Sequence, residues 1–226
     1  MNQIIANTSI LSPLLPIVVF LFLKKRNNRK PLWVIFIYLI LTFLFDAVRS
    51  VTQDQFLEFY LFRAFTVIEY FCFSYYLYSI LTISFKKWLI PLVGIFIIVI
   101  NIKYVIGVEI IEEFDAVTTS IEAILIILLS ITYFYEVIQR NTVSIIYANK
   151  SFWIVAAMLV YLSANLFLFI TSKYLTPEER NFYWFINDTS NTLKNILFTI
   201  AFILPVSENN QPKKEFHSYD EHPFLN

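Results

Sequence analysis

The chain has 226 residues, 58% hydrophobic, 19% aromatic and only 15% charged, with a formal net charge of zero. Soluble domains carry about a quarter charged residues, so the composition points to repeated burial in apolar surroundings, and neutrality leaves no electrostatic footprint for a nucleic-acid partner. One cysteine, Cys72, excludes a disulfide framework or thiolate metal site, and two glycines, Gly94 and Gly107, exclude a glycine-rich phosphate loop.

Seven apolar segments follow in chain order: Ile10–Leu23, Leu32–Val48, Phe56–Leu81, Trp88–Ile106, Ala116–Val137, Phe152–Thr171 and Phe182–Leu204. Runs of about 20 such residues predict membrane-spanning helices. The first is short, and Pro13 and Pro16 are expected to bend or break it. The second ends in Asp46 and Arg49, the third carries Arg63 and Glu69, and the fifth carries Glu122. The fourth has no charge between Lys87 and Lys103 and reads as the most lipid-exposed helix. The sixth carries Ser163 and Asn165; the seventh contains Asn187-Asp-Thr-Ser-Asn-Thr-Leu-Lys-Asn195.

The loops set the expected orientation. Nine cations (Lys24, Lys25, Arg26, Arg29, Lys30, Lys86, Lys87, Arg140 and Lys150) fall on one side, and four (Arg49, Lys103, Lys173 and Arg180) on the other, alongside the acids Asp54, Glu109, Glu112, Glu113, Asp115, Glu178 and Glu179. The positive-inside tendency places the first set in the cytoplasm and the amino terminus outside. The expected fold is an all-α seven-transmembrane-helix bundle over residues 1–206, with a polar cytoplasmic tail at 207–226. Met1 to Ser9 lacks the basic start of a secretory signal.

Polar groups inside such a bundle are costly unless they face protein or water, which makes an intramembrane ionisable residue a site candidate. With this orientation Glu69 and Lys194 fall near mid-membrane, and Arg63, Glu122, Asn187, Asp188 and Asn191 in the outer half. The candidate site or buried network is Arg63, Glu69, Glu122, Asn165, Asn187, Asn191, Lys194 and Asn195, in a polar cavity between the third, fifth, sixth and seventh segments. Tyr70, Phe73, Tyr75 and Tyr76 would line its apolar walls. Trp33, Trp88, Trp153 and Trp184 read as interfacial anchors. The plainer reading pairs Lys194 with Glu69 and Arg63 with Glu122, with the asparagines bonding across helices as glue.

No catalytic set stands out. Both histidines, His217 and His222, lie in the tail, so no metal site is expected in the membrane region. This departs from the seven-helix lipid amidases that the helix count resembles. A carboxylate site built on Glu69 remains physically open. A lysine on the seventh helix facing a carboxylate on the third resembles the retinal-linked lysine and counter-ion of rhodopsins. Position 190 is Ser, where the ion pumps have Asp. No cofactor is expected, with retinal at Lys194 as the alternative.

Three blocks, Phe65-Thr-Val-Ile-Glu-Tyr70, Phe152-Trp153 with Tyr161-Leu-Ser-Ala-Asn-Leu-Phe-Leu-Phe169, and Asn191-Thr-Leu-Lys-Asn-Ile-Leu-Phe-Thr-Ile-Ala-Phe202, resemble a family of small bacterial seven-helix membrane proteins. The resemblance implies a bacterial inner-membrane location and a sensor-like membrane region. It singles out Glu69, Asn165, Lys194 and Asn195, and supplies no activity. The expectation is a receptor or sensor that takes a small or lipid-like ligand. A carboxylate-using lipid enzyme and an accessory subunit of a membrane complex are the alternatives. With no output domain in the sequence, a signal would pass to a membrane or cytoplasmic protein partner.

Overall fold

In the computed structural model, residues 2–52, 55–106, 116–139, 146–171 and 174–205 are described. Among these residues eight α-helices run in order: α1 (Asn2–Leu11), α2 (Leu14–Phe22), α3 (Lys30–Val51), α4 (Gln55–Ile80), α5 (Lys86–Ile106), α6 (Ala116–Gln139), α7 (Lys150–Thr171) and α8 (Pro177–Ile203). A 3₁₀ turn at Ile146–Ala148 precedes α7, and there is no strand among the described residues. Among the described residues, four spans are long and apolar enough to cross a membrane: Gln3–Phe22, Lys30–Val51, Val117–Gln139 and Lys150–Thr171. The expected tail from Ser207 lies outside the described residues.

The first span is one rod broken in two. Pro13 and Pro16 supply no amide hydrogen, so the helical ladder lapses between Leu11 and Leu14 and resumes with Ile17 donating to the Pro13 carbonyl. The expected segment therefore started too late: Asn2 to Ser9 is helical as well. That extra length carries Ser9 to the bundle interior.

Helix neighbours define a ring. α3 packs on α2 and α4, α4 on α6, α6 on α7, α7 on α8, and α8 closes against α1 and α2. α5 stands outside this ring, against α4 and α6, with Leu92, Ile95, Val99 and Ile102 exposed. Its contact with α4 is close because Gly94 has no side chain. A Cβ there would stand 3.1 Å from Cε1 of Tyr70, whose hydroxyl donates to the Ile90 carbonyl at 2.5 Å.

One end of the ring interior is an apolar aromatic cluster. Phe20 stacks on Phe36 at 4.3 Å between ring centres and meets Phe202 edge-on at 5.0 Å. Tyr38 packs against Phe73 at 4.7 Å, one layer further along. Beyond that layer the interior turns polar, and the candidate site begins there.

Candidate functional site

Three helices meet at Tyr38. The Lys194 ammonium on α8 donates to the Tyr38 hydroxyl on α3 at 2.6 Å, and that hydroxyl donates to Oε1 of Glu69 on α4, also at 2.6 Å. All three side chains are buried. The expected pairing of Lys194 with Glu69 is thus a relay through a phenol and not a direct contact. The ammonium also rests 3.8 Å from the ring centre of Tyr161 on α7, and a cation over an aromatic face is attracted to the ring's quadrupole. Four elements hold one cation.

Above this relay lies a cavity of about 80 Å³. At 10–15 Å³ per water it has room for roughly five to eight waters, or a small headgroup. Its polar lining includes Asp46, Glu69, Asn187, Asn191 and Lys194. Phe45, Phe62, Phe65, Phe169 and Trp184 form the apolar walls. Asp46 takes part in no hydrogen bond among the described residues and meets Lys194 and Arg49 only through space. Asn191, 6% exposed, donates its amide to Ser9 Oγ at 3.0 Å, while its carboxamide oxygen has no hydrogen-bond partner among the described residues.

Arg49 and Glu58 form the mouth. Nε of Arg49 donates to Oε1 of Glu58 at 2.6 Å, and both side chains are over a third exposed. The guanidinium lies 4.6 Å from the ring centre of Phe62 and 5.2 Å from Trp184. An ion pair stacked in this way closes the cavity while remaining partly solvated.

The asparagines tie helices together. Asn165 donates to Ser190 Oγ at 2.7 Å, joining α7 to α8, and to the Tyr161 carbonyl at 2.8 Å. Asn195 donates to Ser12 Oγ at 2.7 Å, joining α8 to the break between α1 and α2. The carboxamide oxygens of Asn165 and Asn195 also lack partners among the described residues.

Of the sequence-predicted residues, Glu69, Asn187, Asn191 and Lys194 line the cavity, and Asn165 and Asn195 brace its walls. Arg63 and Glu122 are buried on the adjoining helices α4 and α6 but are not cavity-lining.

Three expectations are corrected. α3, left out of the expected cavity, supplies Thr42, Phe45, Asp46 and Arg49, because α3 packs against both α4 and α1; α6 supplies only Thr119. Trp184 is a cavity wall over Arg49 and not solely an interfacial anchor. The aromatic walls are not Tyr70, Phe73, Tyr75 and Tyr76. Tyr70 turns to α5, Phe73 and Tyr76 sit in the apolar core, and Tyr75 is exposed. Tyr38, Tyr161, Asp46, Arg49 and Glu58 escaped sequence reasoning as site residues. The only sequence signal at any of them was the charge of Asp46 and Arg49 at the end of the second segment.

No family model, curated protein or solved structure matches this chain. The chemistry of the site therefore has to be read from its own geometry. Among the described residues, no group of three His, Cys, Asp or Glu side chains is placed to hold a metal ion.

Proposed function

We propose that this chain is a seven-helix protein of a bacterial inner membrane, of receptor or sensor type, that binds an amine-bearing amphipath in the cavity beneath Arg49. The observation that carries this reading is the cavity's bonding capacity. Arg49 is held by Glu58 and Lys194 by Tyr38, while the Asp46 carboxylate lines the cavity between aromatic walls and takes part in no hydrogen bond among the described residues. Aromatic faces around a carboxylate suit an ammonium group. The cavity takes a headgroup, and an alkyl tail would extend between helices. The orientation rests on the nine cations against four in the loops, which puts the mouth on the outer side. The seven passes count α1 and α2 as one span and add α4, α5 and α8 to it and to α3, α6 and α7. A signal would leave through the basic loops on the inner side to a partner protein.

The test is thermal unfolding in neutral detergent with alkylammonium and alkylphosphocholine amphipaths, against alkyl sulfates of the same chain length. A ligand at a hundred times its Kd stabilises by about 2.7 kcal/mol. The expected result is stabilisation of the wild type by the amine class alone, lost in Asp46→Asn. Equal effects of amine and sulfate headgroups, or none from either, would overturn the reading.

A further inference from the structure

The opposite end of the bundle carries a second concentration of charge. α3, α5 and α7 all begin there, each on a lysine (Lys30, Lys86 and Lys150), and none has an acid in its first turn. A cation at a helix amino terminus adds to the positive pole of the helix instead of offsetting it. α8 starts at the other end in the usual way, with Glu178 and Glu179 in its first turn.

Among the described residues, little neutralises this end. No Asp or Glu occurs in residues 1–45, 70–108 or 137–177. Glu136, which does reach this end, accepts the backbone amides of Thr82 and Ile83 at 3.0 Å.

One point concentrates the excess. Lys150 is only 8% exposed, and its ammonium donates to Oδ1 of Asn27, itself fully buried. Asn27 in turn donates to the Phe202 carbonyl at 3.2 Å, so the turn after α2, the start of α7 and the end of α8 are joined. Arg26 and Arg29 flank Asn27 and are close enough to repel the Lys150 ammonium. The ammonium's acceptor is a neutral amide. A buried cation with no counter-charge among the described residues, and two guanidiniums beside it, is an incomplete arrangement.

The surroundings indicate what completes it. Phe22, 85% exposed, and exposed Leu21 lie immediately before the basic turn and offer an apolar surface. Trp33 donates to Asn28 at 3.3 Å and lies under the Lys24 ammonium at 5.4 Å, while Trp153 donates to the Tyr147 carbonyl at 2.8 Å. Tryptophans so tethered mark the headgroup level of a bilayer. Basic pockets between helices at that level suit lipid phosphates.

We propose that Arg26, Arg29 and Lys150 bind the phosphate of an anionic glycerophospholipid, whose acyl chain lies along the exposed face of α2 by Leu21 and Phe22. Exposed hydrocarbon beside the cations favours a lipid over free phosphate. With the orientation proposed above, this lipid belongs to the cytoplasmic leaflet. The site is independent of the outer cavity and stands or falls separately from it.

The experiment is native mass spectrometry of the full chain in neutral detergent, titrated with phosphatidylglycerol or with phosphatidylcholine of the same chains. One phosphatidylglycerol retained in clear preference to phosphatidylcholine is expected. Arg26 and Arg29 are exposed, so Arg26→Gln/Arg29→Gln should fold normally and weaken that binding roughly thirtyfold. Equal retention of the two lipids, or an undiminished affinity in the double variant, overturns the proposal. So does equal thermal protection by inorganic phosphate without lipid, which would make this a phosphate site. Binding seen only after Glu208, Glu215, Asp220 and Glu221 are neutralised would assign the cations to the carboxyl-terminal tail, and would also overturn it.

Discussion

Lys194 reaches Glu69 only through Tyr38, whose hydroxyl accepts from the ammonium and donates to the carboxylate over two hydrogen bonds of 2.6 Å. A phenol can serve both ions because it is at once donor and acceptor. The alternating polarity fixes the spacing of three helices around one oxygen.

Tyr38→Phe keeps the ring against Phe73 and Phe198 and removes that oxygen alone. It is expected to cost about 1–3 kcal/mol, since two buried charged groups each lose a partner. Lys194→Met and Glu69→Gln are expected to be coupled by about 1 kcal/mol or more, with the double variant less destabilised than the sum of the singles. Reversible unfolding in mixed micelles measures all four states. Additive losses would show that the relay does not couple the two ions.

Arg49→Ala should open the outer mouth at little cost to stability. Its pair with Glu58 is partly solvated, and such pairs contribute about 0–1 kcal/mol. The measurement is the rate at which an impermeant thiol reagent labels Thr66→Cys, a cavity-lining position, in a Cys72→Ser background. A severalfold faster rate in Arg49→Ala is expected. An unchanged rate would mean that Arg49 does not limit access.

Gly94→Ala should destabilise despite the ordinary helix preference for alanine. Its Cβ would press on Tyr70, which cannot swing away without breaking its bond to the Ile90 carbonyl. Overpacking of this kind costs about 1–3 kcal/mol. Tyr70→Leu in the same chain should recover part of the loss. A neutral Gly94→Ala would show that α5 shifts outward freely.

The start of α8 carries a pH-dependent element. Thr176 and Glu179 form a capping box: the Thr176 amide and hydroxyl donate to Oε2 of Glu179 at 2.9 Å, and the Glu179 amide donates to Thr176 Oγ1 at 3.3 Å. The donated Thr176 amide, then its hydroxyl, hold the Glu179 carboxyl below its ordinary value. A group whose folded pKa is depressed contributes fully above the unfolded value and loses that contribution as pH falls through the folded one. Thr176→Ala should therefore lower the melting temperature at neutral pH. The gap to wild type should narrow below about pH 4.3, the unfolded glutamate value. A gap independent of pH would mean that the Thr176 hydroxyl bond to the Glu179 carboxylate adds nothing, the Thr176 amide being kept in the variant.

Much of the architecture was legible in the sequence because hydrocarbon solvation acts on runs of residues. Apolar length marks spans, Pro13 and Pro16 mark a break, and Asn191, Lys194 and Asn195 declare themselves as polar groups on an apolar helix. The converse signal is weak. Tyr38 and Tyr161 are at home in any membrane helix, so their roles around Lys194 leave no trace in composition. Asp46 and Arg49 look like helix-end charges until α4 and α8 close around them.

The sequence by itself determined that the chain is helical and rich in membrane-compatible spans, with polar residues collected on its last long helix, because burial and helix periodicity are local properties. Which groups meet was decided only by tertiary structure. The broken first span brings Ser9 and Ser12 to Asn191 and Asn195, and α3 interposes Tyr38 between Lys194 and Glu69. Those contacts join residues 31 to 183 positions apart. They depend on how the helices are ordered around the ring, which no window of local sequence encodes.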